Sequence, residues 1–88
     1  VKNILDIGTG TGLLTLMLAQ KTSATIDAVE IDAAAFTQAK QNIEPSPWKE
    51  KIAIYNAHIL KFQPNKKYDC IISNPPFFED WKKKHELV

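Results

Sequence analysis

Short apolar runs alternate along the chain with segments whose apolar residues recur every three or four positions. Lys2 to Ile7 is a mostly apolar run of strand length, broken by glycines at positions 8, 10 and 12. In the segment that follows, to about Gln20, Leu13, Leu16 and Met17 stand at helical spacing with Leu14 and Leu18 beside them. They ring so much of the circumference that the pattern predicts a helix lying on a sheet, with these residues in the core. Thr25 to Ile31 predicts a second strand. Asp32 then suits the N-cap of a helix that carries Phe36, Ala39, Lys40 and Ile43 at helical spacing and is stopped by Pro45.

Ile52, Ile54 and their neighbours up to Asn56 predict a third strand, and Tyr68 to Ser73 a fourth. In the fourth, Cys70, Ile71 and Ile72 form the continuous apolar run expected of a buried parallel strand. Glu44 to Glu50, with two prolines around Trp48, predicts a connecting loop whose tryptophan packs over the sheet edge. Strands alternating with helices imply the α/β class: a partial, doubly wound, mainly parallel sheet of four strands joined by right-handed crossovers.

The chain has 88 residues, 44% of them hydrophobic, and a formal net charge of +1, which fits one domain spanning 1–88. No apolar stretch approaches the roughly 18 to 20 residues of a membrane span, and the start lacks the layout of a secretory signal, so a cytoplasmic protein without a membrane partner is expected. Cys70 is the sole cysteine and lies in an apolar run, which predicts a buried, inert thiol. No metal-ligand spacing is present, so no metal is expected. Near-neutral charge argues against a surface that grips nucleic acid all over. The basic run Lys82, Lys83, Lys84 and His85 beside Trp81 is either a solvated tail or a local phosphate contact. The chain starts at Val1 and stops soon after the fourth strand, whereas a doubly wound sheet normally continues. A truncated domain of marginal stability in isolation is therefore expected.

Two motifs carry chemistry. In "DIGTGTG", residues 6–12, glycines allow backbone angles and a close approach that side chains would block, and the loop feeds a helix N-terminus with its partial positive charge. Such a loop cradles part of a nucleotide. A dinucleotide fingerprint would require glycine at position 13, where Leu13 stands. Glu30, at the end of the second strand and 20 residues after Gly10, can accept hydrogen bonds from both ribose hydroxyls or can be a solvated cap. Asp6 can hold a ligand amino group, directly or through water, or bond the loop backbone. The second motif, Asn74-Pro75-Pro76-Phe77, follows the fourth strand at the same sheet edge. The prolines fix their backbone angles, so the Asn74 side-chain oxygen and the Pro75 carbonyl form an aimed acceptor pair. Two acceptors on the two hydrogens of an exocyclic amine turn its lone pair toward an electrophile, and Phe77 can stack on the base that bears it. The plain alternative is a Pro-Pro turn whose aromatics pack elsewhere.

Gly-x-Gly-x-Gly resembles the first motif of the Rossmann-like methyltransferases that use S-adenosylmethionine, and "DIGTGTG", "VEID" and "NPPF" together resemble the class I enzymes that methylate amino groups. A narrower likeness, through "GLLTLMLAQ", "IDAVEIDAAAFTQAKQNIEPSPW" and "YDCIISNPPFF", is to the bacterial tRNA1(Val) adenine methyltransferases. That resemblance implies an enzyme that uses S-adenosyl-L-methionine to methylate the 6-amino group of an adenine beside the anticodon of a tRNA. Carried across by position, it gives Gly8, Gly10 and Gly12 to the cofactor, Glu30 to its ribose, and Asn74 to Phe77 to the target adenine. Ile31 and Ile59 would sandwich the cofactor adenine or pack in the core. His58 stands where the family places an aspartate, and a neutral histidine offers one acceptor in place of a carboxylate. Tyr68 and Asp69 match the family and are assigned to structure. The same motifs also serve methylation of a protein glutamine or a guanine amino group. A nicotinamide-dependent oxidoreductase and a cofactor-binding fragment without turnover are the alternatives of other classes.

Overall fold

A computed structural model describes residues 1–73. Four parallel strands, β1 (Asn3–Ile7), β2 (Thr25–Glu30), β3 (Ile52–Asn56) and β4 (Cys70–Ser73), form one sheet in the order β3-β2-β1-β4. Helix α1 (Leu13–Lys21) joins β1 to β2 and α2 (Ala33–Ile43) joins β2 to β3, and the two helices touch. Two single-turn helices, η1 (Lys49–Lys51) and η2 (Ile59–Lys61), flank β3. The register is continuous: Ile4, Leu5, Asp6 and Ile7 of β1 pair with Cys70, Ile71, Ile72 and Ser73 on one side and with Ile26, Asp27, Ala28 and Val29 on the other. The parallel α/β expectation holds, and β4 begins two residues later than its sequence pattern suggested.

Strand alternation divides the sheet into two faces. On the helix side, Ile4 and Ile26 join Ala19 of α1 and Ala24 in a buried cluster, with Leu18, Trp48, Ile52, Cys70 and Ile72 packed against it. Trp48 thus closes the sheet edge as expected. Cys70 is half-buried rather than fully enclosed. The row on the opposite face runs Ala53, Asp27, Leu5, Ile71, where Leu5 and Asp27 are buried while Ile71 is 61% exposed. Among the described residues the apolar run of β4 is therefore covered on one face only, which corrects the buried strand expected from its sequence.

Helix α1 needs a second correction. It buries Thr15 and Ala19, one turn apart, while Leu13 is 65% and Met17 48% exposed. Small residues at the contact let the helix backbone come close to the sheet, and Thr15 serves a polar partner in β1 described below. The leucine-rich surface had hidden that choice. At the far end of α1, Lys51 of η1 donates through Nζ to the carbonyl of Ala19 at 2.6 Å and to that of Thr22. This satisfies carbonyls that a helix C-terminus otherwise leaves open. Helix α2 starts as its sequence predicts, with Asp32 accepting from the Ala35 amide at 2.8 Å, and it buries Ala39 and Ile43.

Candidate functional site

The chain leaves β1 for β2 and β3 on one side and reaches β4 on the other, so the strand order reverses at β1. In open parallel sheets a ligand crevice forms at that reversal, outside the carboxyl ends of the strands. The glycine loop leaves β1 there, Glu30 ends β2, His58 follows β3 and Ser73 ends β4. The topology brings together the residues singled out in sequence at positions 6–12, 30–31 and 58–59. Asn74, Pro75, Pro76, Phe77 and the basic run Lys82 to Lys84 lie outside the described residues.

The loop is anchored from two sides. Gly8 and Thr9 donate their amides to the Val29 carbonyl at 2.8 and 3.3 Å, and Asn42 of α2 donates to the Thr11 carbonyl at 2.8 Å. Two of the glycines answer different needs. At Gly10, φ is +60° and a Cβ would meet nothing within 4 Å, so its face is open for close approach. At Gly12, φ is +84° and a Cβ would stand 3.2 Å from Ala39 Cβ and 3.3 Å from Ile43 Cδ1. The last glycine thus lets the loop and the start of α1 pack on α2, a role the sequence reading did not include.

Glu30 is only 8% exposed, which removes the solvated-cap alternative. Its Oε1 accepts from the Gly10 amide at 2.7 Å and its Oε2 from the Asp32 amide at 3.0 Å. One carboxylate therefore ties the glycine loop to the start of α2, and its two oxygens keep lone pairs for a further donor.

Asp6 is fully buried beneath the loop. It bonds a side chain of α1 rather than the loop backbone: Thr15 Oγ1 donates to Oδ2 at 2.5 Å. Thr15 has thereby used its one proton, so Thr9 Oγ1 is the donor in the 2.8 Å contact between the two hydroxyls. Oδ1 has no hydrogen-bond partner among the described residues. Burial pushes the Asp6 carboxyl above its ordinary value of 3.8 against the pull of the Thr15 hydrogen bond, and the Glu30 charge adds to the rise. An unpartnered acceptor in a buried carboxylate costs about 1–3 kcal/mol and calls for a donor at that spot.

The β3 side is held by Asn56, whose Nδ2 donates to the carbonyls of Glu30 at 2.8 Å and Ile31 at 3.2 Å. Ile31 is 58% exposed at the end of β2, so it is not a core residue; Ile59 is half-buried at the start of η2. His58 caps η2: its Nδ1 accepts from the Leu60 amide at 3.1 Å. The single acceptor of a neutral imidazole is thereby taken. His58 has only an N–H to offer, not the free acceptor its sequence position suggested.

An open glycine face, a carboxylate shared between the loop and α2, and a buried acceptor needing a donor thus meet at the sheet's reversal point. The model of the methyltransferase small domain matches residues 1–88, the whole chain. The chain belongs to that family. It is 56% identical over 77 residues to a tRNA1(Val) (adenine(37)-N6)-methyltransferase of Dyadobacter fermentans, covering 86% of this chain and 32% of that protein. It is 51% identical over 88 residues to the protein of the same name from Flavobacterium psychrophilum, covering 96% and 38%. The chain thus spans about a third of the length of the curated relatives it matches. Among solved structures, the Trypanosoma brucei PRMT1 enzyme-prozyme heterotetrameric complex with AdoHcy is similar, with a TM-score of 0.77 and 27% identity over 83% of this chain and 23% of that one. The methyltransferase small domain here has the Rossmann-like class I methyltransferase fold. Among the described residues no helix is long and apolar enough to cross a membrane, and no group of ligating side chains could hold a metal ion.

Proposed function

We propose that this chain is the cofactor-binding part of a cytoplasmic enzyme that transfers methyl from S-adenosyl-L-methionine to the 6-amino group of an adenine in tRNA, next to the anticodon. The observation that carries this reading is the pairing of an orphaned, buried Asp6 Oδ1 with the Glu30 carboxylate and the open Gly10 face at the sheet's reversal point. It is supported by relatives named as tRNA1(Val) adenine methyltransferases.

The residues present fit that cofactor. Asp6 Oδ1 would accept from its amino group, directly or through water, Gly8 and Gly10 would let it approach the backbone, and Gly12 seats the loop on α2. The remaining lone pairs of Glu30 accept from the ribose hydroxyls. Ile31 and Ile59 flank its adenine, and His58 borders that end with an N–H. When bound, S-adenosylmethionine supplies a methyl group on a sulfonium, a good leaving group. The chain's own contribution to the chemistry is orientation: the Asn74 side-chain oxygen and the Pro75 carbonyl would accept the two hydrogens of the target amine, Pro76 would restrict the backbone of Pro75, and Phe77 would stack on the base. No strong general base is needed, because the nitrogen can release its proton after transfer, and positioning carries most of the rate. Membership of a methyltransferase family sets the nicotinamide alternative aside.

The test uses the full-length protein with unmodified tRNA and methyl-labelled cofactor. Labelled 6-methyladenine beside the anticodon in wild type, and its loss in Asn74→Ala, is the expected result. An Asn74→Ala variant as fast as wild type sinks the role given to that residue.

A further inference from the structure

Strand β4 carries an isoleucine on each face, Ile72 toward the helices and Ile71 opposite, so apolar burial discriminates only weakly between its registers. A slip of one residue exchanges Cys70 and Ile72 on the helix side for Ile71 with either Asp69 or Ser73, so one isoleucine replaces another and a cysteine gives way to a polar residue, a smaller penalty than a strand with strictly alternating polarity would set. Only four pairs join β4 to β1, and Ile71 is largely exposed. Apolar burial alone is thus a weak guide to the alignment.

The polar contacts at the start of β4 supply the choice. Asp69 Oδ2 accepts from the Lys2 amide at 2.7 Å and the Asn3 amide at 2.9 Å, while the Asp69 amide donates to the Asn3 carbonyl at 2.8 Å. One residue earlier, Tyr68 donates its hydroxyl to Asp27 Oδ2 at 2.6 Å, and Lys66 Nζ stands 3.2 Å from the same oxygen. Asp27 is 4% exposed, on β2 and on the sheet face opposite the helices. The start of β4 is thereby fastened to both β1 and β2, and neither fastening survives a shift by one residue.

We propose that Asp69, assisted by Asp27 through Tyr68, is a positioning residue that sets the register of β4, the strand that Asn74 follows in the chain. It rests on the role given above to Asn74, which follows Ser73 directly. Each strand residue advances about 3.3 Å, so a one-residue slip moves the strand's last residue by the length of a near-attack contact and turns it to the other face. The glycine loop and Glu30 sit on β1 and β2, whose pairing does not involve β4. The fasteners therefore act on the amine side of the reaction and leave the cofactor side alone.

Three substitutions in the full-length protein test this. Asp69→Ala should lower kcat on unmodified tRNA by about 100-fold, the cost of a small misplacement of reacting groups, with affinity for S-adenosylhomocysteine unchanged. Asp69→Asn, which keeps an oxygen able to accept both amides, should restore most of kcat. Tyr68→Phe should lower kcat in the same direction, and is the decisive variant if Asp69→Ala does not fold. Wild-type kcat in either Asp69→Ala or Tyr68→Phe, or parallel loss of kcat and cofactor affinity in both, overturns the inference. If wild type transfers no methyl to tRNA, the functional reading fails separately. The inference is then read from amide exchange, where Asp69→Ala should speed exchange at residues 70–73 and spare 25–30; unchanged exchange at 70–73 overturns it.

Discussion

Glu30 Oε1 accepts the amide of Gly10 at 2.7 Å, joining the end of one strand to the crest of the loop that leaves its neighbour. The bond places a negative charge against a backbone donor in a site only 8% exposed, where charge-assisted bonds count for more than at the surface. The carboxylate that would meet a ribose is thus also the one that shapes the loop.

Replacing Glu30 with alanine should therefore act twice. The Gly10 and Asp32 amides lose their acceptor, and the ligand loses its ribose partner. A hydrogen bond to a charged group contributes about 1.5–3 kcal/mol, which corresponds to about 10- to 150-fold in affinity. Calorimetric titration with S-adenosylhomocysteine should show a loss of that size for Glu30→Ala and a smaller one for Glu30→Gln. Unchanged Gly10 amide chemical shift in ligand-free Glu30→Ala would contradict the bond.

Gly10→Ala and Gly12→Ala should separate binding from stability. Both positions have φ in the left-handed region, which costs an L-residue about 1–2 kcal/mol. At Gly12 the new methyl also meets Ala39 and Ile43 at 3.2 and 3.3 Å, and overpacking adds about 1–3 kcal/mol. Thermal unfolding should rank wild type above Gly10→Ala and Gly10→Ala above Gly12→Ala. Cofactor affinity should fall in Gly10→Ala, where the methyl occupies the open face.

Lys51→Met keeps the aliphatic stem and removes the ammonium that serves two carbonyls at the end of α1. The loss should be about 1 kcal/mol, seen as a lower urea midpoint at unchanged slope. An unaltered midpoint would mean that water replaces the lysine without penalty.

Acid should expose Asp69. The amides of Asn3 and Lys2, in that order of influence, hold its carboxyl below the ordinary 3.8. A depressed value contributes stability that is present above 3.8 and lost as pH falls through the lower, folded-state value. The melting-temperature gap between wild type and Asp69→Asn should be full at neutral pH and close at the acid end of that window. Asp6, pushed upward by burial, has the opposite slope, but it is common to both proteins and cancels from the difference.

Much of the fold was legible because it depends on local pattern. The alternation of strands and helices, the Asp32 cap and the stop before Pro45 all reflect contacts within a few residues. The misreadings share another cause. Leu13 and Met17 looked like core because sequence records how apolar a helix is, not which side meets a buried carboxylate; Asp6 needed Thr15, and that decided the face. His58 looked like a free acceptor because its capping of Leu60 depends on a single-turn helix with no periodicity to detect. The bonds from Glu30 to Gly10, Lys51 to Ala19 and Asp69 to Lys2 join residues 20, 32 and 67 apart, so only the assembled sheet reveals them.

The sheet order also implies a schedule. Strands β1, β2 and β3 pair as sequence neighbours within residues 3–56, whereas the pairing of β4 with β1 closes a loop of 66 residues. Closing long loops is slow relative to local pairing. In a refolding chain, amide protection at residues 25–30 is therefore expected to appear before protection at residues 70–73.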